Sequence, residues 1–339
     1  MVDINVNTHK ADSPLSDFPD QKPAIVSGYF ERSWVRFAVI RQLYGLFNSR
    51  LGNPIAVFRA IRRLRKKFKN AQGDKMLAKI AKVDGRYYWK IGTPGFPSEK
   101  IKAMQGREVD TLLTGHPYNG LRTLFLAITK KCTLNCEHCF EWENLNKPEA
   151  LSDEQLIEIV KKYQDYGTTQ IMLSGGEPML RLESIFNILK HTRKASDFWI
   201  FTSGLGMNEK NAKKLKQAGL TGVLLSLDHF DPELHNQFRG HKKAFQWVID
   251  GALNAKKAGL VVTLSLCATR AFTTRQNLKH YMELGRRLGA AFVQIIDVRA
   301  SGRYAGQPVD LSTEPIALLE EFYLTYNNEP ESREYPIIN

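Results

Sequence analysis

Cysteine is scarce in this 339-residue chain: there are four, and three of them (Cys132, Cys136 and Cys139) fall within eight residues. A disulfide framework would spread an even set of cysteines through a small secreted chain, so that class is excluded. Long hydrophobic runs are missing too. The most apolar stretch, residues 34–47, is cut by Arg36 and Arg41 and falls short of a membrane span. The opening MVDINVNTHK has no apolar stretch behind a basic segment, so no secretory leader is expected. A reducing, cytoplasmic compartment follows as the expectation. Acidic residues are lacking in one region only. Residues 21–110 hold 6 Asp/Glu against 20 Lys/Arg, whereas residues 111–339 hold 25 against 27. A nearly neutral body therefore carries a basic N-terminal region, and the two need separate explanations.

Hydrophobic residues make up 43% of the chain and charged ones 24%, enough apolar mass for a buried core. Residues 1–28 are polar, contain Asp and Pro and show no periodicity, which predicts a disordered tail. Two helices are expected between residues 29 and 70. In the second, Asn53 is the N-cap and Pro54 the first helical residue, ahead of Ile55, Phe58, Ile61, Leu64 and Phe68 at helical spacing. Residues 87–97 read as a loop or short extended piece.

From about residue 121 a repeating pattern begins. Strand-length apolar runs occur at residues 124–128, 170–173, 198–202, 222–227, 261–266 and 292–298, with amphipathic helical segments between them. Ser152 and Gln155 form a capping-box pattern, and Gly167, Gly219, Gly259 and Gly289 each stop a helix just before a strand. Strands alternating with helices predict an α/β fold with a parallel sheet and right-handed crossovers. A closed eight-unit barrel takes about 250 residues. Fewer than 200 are available here, so the expectation is a partial (β/α)6 TIM-type barrel with an N-terminal basic helical extension. An open doubly wound sheet is the competing architecture, and both put chemistry at the C-terminal ends of the strands.

Thr129-Lys130-Lys131-Cys132-Thr133-Leu134-Asn135-Cys136-Glu137-His138-Cys139 directly follows the first of these strands. Three thiols at C-x3-C-x2-C spacing on one loop can curl around a single inorganic centre. No second C-x2-C or H-x3-H pair completes a zinc knuckle. Three thiolates can hold three corners of a [4Fe–4S] cube and leave the fourth iron open to a small ligand. A zinc site completed by His138 or a distant residue is the alternative.

This loop, with His138 in the position just before the last cysteine where an aromatic residue is usual, resembles the cluster motif of the radical S-adenosylmethionine (radical SAM) enzymes. The resemblance runs over roughly residues 121–306. It implies a [4Fe–4S] cluster on Cys132, Cys136 and Cys139. It also implies reductive cleavage of S-adenosylmethionine to a 5′-deoxyadenosyl radical, hydrogen abstraction from a substrate C–H bond, and a flavodoxin- or ferredoxin-like electron donor. Ser174-Gly175-Gly176-Glu177-Pro178 is similar to the family's GGEP segment. In it the two glycines would admit a ligand close to the backbone, and Glu177 would meet the methionine amine. Thr202-Ser203-Gly204 stands where relatives often have Thr-Asn-Gly, which puts a cofactor contact by Ser203 in question. Ser226-Leu227-Asp228 and His235…Arg239-Gly240 resemble a pair whose serine and arginine hold the cofactor carboxylate. A helix-face charge is the lesser alternative for Arg239. His229 could face substrate or cap its turn, and Cys267 reads as a buried small hydrophobe. Ala300-Ser301-Gly302-Arg303 resembles a segment that precedes an accessory SPASM-type cluster domain. The further cysteines such a domain needs do not follow Cys267, so the chain either lacks that domain or stops short of it.

The expected organisation is a tail at 1–28, a basic helical region at 29–115, a radical SAM core at 116–310 and a C-terminal helix and tail at 311–339. For the basic region, a peripheral anchor on an anionic membrane and a helical cap with a solvated basic face compete. Nucleic acid stands behind them, since no DNA or RNA module is recognisable. A membrane anchor would make a lipid or membrane-associated molecule the natural substrate. A peptide- or protein-modifying maturase is the rival enzyme, and an iron–sulfur or zinc binding module is the non-enzymatic alternative.

Overall fold

The computed structural model describes Leu15 and residues 18–72 and 79–339. Two helices come first, α1 (Tyr29–Leu51) and α2 (Pro54–Gln72), joined at Gly52 in the left-handed conformation. Asn53 caps α2: its Oδ1 accepts from the backbone N–H groups of Ile55 (2.9 Å) and Ala56 (3.2 Å), with Pro54 at the position where a missing N–H costs nothing. An antiparallel hairpin, β1 (Ala81–Val83) and β2 (Arg86–Tyr88), turns at Asp84-Gly85, both with positive φ. Helix α3 (Glu99–Thr114) follows, capped by Ser98.

The body alternates without interruption. Strands β3 (Thr123–Thr129), β4 (Gln170–Gly175), β5 (Asp197–Thr202), β6 (Leu220–Ser226), β7 (Val261–Ala268) and β8 (Phe292–Asp297) pair in chain order, each parallel to the next. Between them run α4 (Asp153–Asp165), α5 (Leu182–His191), α6 (Glu209–Ala218), α7 (Pro232–Arg239), α8 (Ala244–Lys257) and α9 (Arg275–Arg287). All six sequence-predicted strands are present, as are the Ser152–Gln155 capping box and the four helix-stopping glycines, each at positive φ. The architecture is the expected α/β partial barrel. After α10 (Thr313–Asn328), a strand not foreseen from sequence, β9 (Ile337–Ile338), pairs with β8 and widens the sheet to seven strands.

Period-two alternation divides the core in two. One strand face, with Ile171, Leu173, Ile200, Val223, Leu225, Val262 and Leu264, packs under the helices. The other face carries Met172, Trp199, Leu224, Val261 and Phe292, and these meet Ala81 and Tyr88 of the β1–β2 hairpin. The Lys100 ammonium on α3 reaches the wholly buried Asp197 carboxylate at 2.5 Å. The basic N-terminal region is therefore more than helical. Its hairpin and α3 plug the barrel at the end opposite the strands' C-termini.

The predicted disordered tail meets structure in its described part. Leu15 is buried in the main core, Ile25 bridges Ala81, and the Val26 N–H donates to Ile80 O at 2.8 Å. Gln21 likewise donates to Arg287 O at 2.8 Å. These residues add a strand-like edge to β1, which satisfies backbone groups that composition alone leaves to solvent. Residues 1–14 and 16–17 lie outside the described residues. No helix among the described residues is long and apolar enough to cross a membrane.

Candidate cluster and cofactor site

Strand β3 delivers the cysteine loop to the C-terminal edge of the sheet, and four neighbouring segments hold it there. From β4, the Glu177 N–H donates to Lys131 O (2.7 Å), and a Cβ on Gly176 would collide with that same carbonyl. From the end of α7, Arg239 O accepts from the Asn135 N–H (3.1 Å) and Phe238 O from the Glu137 N–H (3.0 Å). Gly240, at φ +67°, lies so close that a Cβ would sit 2.7 Å from Asn135 O. Asn146 brackets Cys132, accepting from its N–H (3.0 Å) and donating to its carbonyl (3.1 Å). Finally, the turn after β8 closes over the last cysteine. The Arg303 N–H donates to Cys139 O (3.0 Å), its guanidinium donates to Asn135 Oδ1 (2.7 Å), and it lies 5.5 Å from the centre of the Trp142 ring.

So held, the three thiols share one apolar cluster with Leu134, Ala244 and Trp247. Cys136 is buried, and Cys132 and Cys139 are half-buried. Burial pushes the Cys132 thiol up to about 11 and raises that of Cys139. Among the described residues no three His, Cys, Asp or Glu side chains converge where one metal ion could sit.

The remaining predicted residues sort into three groups. Glu177 is buried and its carboxylate is taken: Oε1 accepts from Thr202 Oγ1 (2.6 Å) and the Met179 N–H (3.1 Å), and Oε2 from the Ser203 N–H (2.7 Å) and Ser203 Oγ (2.5 Å). Burial raises its pKa against the pull of these four donors. Glu177 and Ser203, the residues expected at the cofactor, thus lie against each other at the ends of β4 and β5. Gly175, at φ +131°, and Gly176 are crowded by Thr129 and Lys131, so what approaches their backbone is this chain's own loop.

Arg239 is the second group. Its guanidinium pairs with Asp228 (Nη2–Oδ2 2.5 Å), and Nη1 lies 3.7 Å from Cys136 Sγ. Burial alone would lower the Arg239 pKa, but Asp228 and Cys136 beside it hold it above the ordinary value. Burial likewise works to raise Asp228, and Arg239, His138 and His235 overcome it and keep that carboxyl low. The helix-face alternative for Arg239 is thereby set aside. His138 stacks on Phe238 (centroids 4.7 Å apart, 17° between planes), and burial drives its pKa down to about 4. His235 Nδ1 accepts from the Asp228 N–H (3.1 Å). Its motif position drew notice in the sequence, but its service to Asp228 did not.

The third group faces open space. A cavity of about 490 Å³ lies at the ends of β6 and β7, with Glu137, Asp228, His229, Asp231, Cys267 and Asn277 among its lining residues. Cys267 is half-buried there, its thiol pushed by burial up to about 12. That corrects its reading as a simple core residue. His229 caps its turn, its Nδ1 accepting from the Asp231 N–H (2.9 Å), and it also lines the cavity. Ser226 lies half-buried on β6, in register with Ser265 of β7.

A parallel partial barrel whose first strand feeds a tri-cysteine loop defines the class. Residues 126–284, a little under half of the chain, match the family model of the Radical SAM superfamily. Among sequence relatives, a probable GTP 3′,8-cyclase of Methanococcus aeolicus is 32% identical over 187 residues, 52% of this chain and 59% of the relative. A GTP 3′,8-cyclase of Aquifex aeolicus is 26% identical over 215 residues, 61% of this chain and 66% of the relative. The chain thus spans less than two thirds of the length of these curated relatives. The fold is shared with Streptococcus suis SuiB bound to S-adenosylmethionine (TM-score 0.54, 17% identity, 71% of this chain and 55% of that one). It is also shared with anSMEcpe with bound S-adenosylmethionine (TM-score 0.51, 21% identity, 64% and 63%).

Proposed function

We propose that this chain is a radical SAM enzyme that abstracts hydrogen from an uncharged or cationic organic substrate. The carrying observation is the gathering of Cys132, Cys136 and Cys139 into one apolar cluster beside the Arg239 guanidinium. These thiols would hold a [4Fe–4S] cluster, which with bound S-adenosylmethionine supplies reductive C–S cleavage and a 5′-deoxyadenosyl radical. Arg239 lies beside Cys136 Sγ, and Asp228 keeps that cation in place. Glu177 ties the ends of β4 and β5 into a rigid floor. Leu134, Ala244 and Trp247 exclude water from the thiols. Ser226 remains free to meet the cofactor. A flavodoxin- or ferredoxin-like protein would supply electrons, and reduced thiols suit a cytoplasmic setting.

The cavity supports the choice of substrate. Its lining includes the Glu137 and Asp231 carboxylates, with Asp228 already paired to Arg239, and no lysine or arginine. A nucleoside triphosphate carries several negative charges and would be repelled there. Kinship with GTP 3′,8-cyclases therefore speaks for the shared chemistry, and the cavity speaks for a different substrate. A peptide segment or a lipid headgroup without phosphate fits its charge.

The test is anaerobic incubation of reconstituted protein with dithionite and S-adenosylmethionine. We expect 5′-deoxyadenosine from the parent, none from Cys136→Ala, and no cyclised product when GTP is added. Equal 5′-deoxyadenosine from Cys136→Ala would refute the cluster assignment, and turnover of GTP would refute the substrate class.

A further inference from the structure

Among the described residues, the α1–α2 hairpin presents the densest run of exposed apolar side chains. Phe30 is 87% exposed, Trp34 59% and Phe37 63%, and Ile40 and Tyr44 continue the stripe. These positions recur every three or four residues, so they occupy one face of α1 over roughly 21 Å. Val35 and Phe47, the buried residues of the helix, lie off this stripe. On α2, Ile55 and Phe58 are also exposed, amid Arg59, Arg62, Arg63, Arg65, Lys66, Lys67 and Lys69, and the helix contains no acidic residue. Only Lys67 has a carboxylate partner among the described residues, Glu108 at 3.7 Å. A second cavity, of about 520 Å³, lies between α2 and α3. Leu51, Ile55, Ala60 and Leu112 give it apolar walls, and Arg59 and Arg63, one helical turn apart, line it as well.

We propose that this hairpin seats the protein on an anionic bilayer, with the α1 aromatics entering the interface and Arg59 and Arg63 receiving a lipid phosphate over an apolar groove. An apolar stripe flanked by unpaired cations complements a surface that is negative outside and hydrocarbon within. Aromatic rings, apolar in body and tolerant of the headgroup level, are the side chains such a boundary favours. A second copy of the chain is a poor occupant: residues 29–72 hold eleven Lys/Arg against one acid, Glu31, so two such faces repel. A nucleic acid would use the cations but leave the groove and the long α1 stripe without a partner. The inference is independent of the radical chemistry, because binding needs no turnover.

The experiment is flotation of the full chain with vesicles of phosphatidylcholine alone or mixed in equal parts with phosphatidylglycerol. Two exposed-site variants accompany the parent, Arg59→Glu/Arg63→Glu and Trp34→Ser/Phe37→Ser, with matching thermal unfolding confirming their folds. Each cation near an anionic leaflet counts for about fivefold in affinity. The charge variant should therefore bind the mixed vesicles at least about twentyfold more weakly, and the aromatic variant should also be weakened. The parent should ignore neutral vesicles. Equal binding to both vesicle types, no binding by the parent, or unchanged binding by both variants would overturn the proposal. So would parent self-association that buries Trp34, or retention by DNA or RNA in preference to vesicles.

Discussion

Glu177 sits buried between two strand ends and accepts four hydrogen bonds. Removing its carboxylate leaves donors on Thr202, Ser203 and Met179 buried without an acceptor. Glu177→Ala should lower unfolding free energy by about 3 kcal/mol in urea titration. Unchanged stability with weakened S-adenosylmethionine binding would return the carboxylate to a ligand role. His235 supplies a pH signature. Burial lowers its folded pKa to about 3, against about 6.5 in an unfolded chain. Between those values the unfolded chain takes up a proton that the folded one refuses. Stability should be flat in this group above pH 6.5 and fall on acidification, by about 1.4 kcal/mol per unit. His235→Gln, which keeps an acceptor for Asp228, should flatten that part of the curve. At this scale the sequence was legible in residue type and not in partner. Glu177, Ser203 and Arg239 stood out in their motifs, but which of them face each other depends on strand register, which spacing does not encode.

At the scale of elements, three of the motif glycines prove to be handholds on the cysteine loop: Gly176 after β4, Gly240 after α7, and Gly302 from the turn after β8. Gly302 is the most constrained of the three, at φ +58° with a Cβ position 2.5 Å from both Cys139 O and Phe140 Cα. Gly302→Ala should displace the loop while the barrel stays folded, cutting iron and sulfide incorporated per chain severalfold with little change in far-ultraviolet circular dichroism. The six barrel strands were legible because each is an apolar run ended by a helix stop. The β1–β2 hairpin was not, although its Asp84-Gly85 turn is the pairing that a type I′ turn favours. Two three-residue strands are too short to show alternation. Strand β9 escaped for the same reason: two isoleucines become a strand only because β8 lies beside them.

Across the whole molecule, the basic region has two faces with separate duties. Its hairpin side is a stopper: Tyr88, 3% exposed, packs with Trp199 and Met172 beneath the barrel. Tyr88→Ala should cost about 3 kcal/mol by chemical denaturation. A fragment of residues 116–339, with Met172, Trp199, Leu224 and Phe292 uncovered, should bind hydrophobic dyes and lose cooperative unfolding. Charge bookkeeping set this region apart from the body but gave no sign of the stopper, because Tyr88 and Ala81 are buried by contacts with strands about a hundred residues or more further on.

The grip of Arg303 on Asn135 and Cys139 links points 168 and 164 residues apart. During translation the three cysteines leave the ribosome long before the turn that seats them exists. The seating of all three thiols must therefore wait until Arg303 has emerged, and nascent chains stalled upstream of Gly302 should carry thiols open to alkylation.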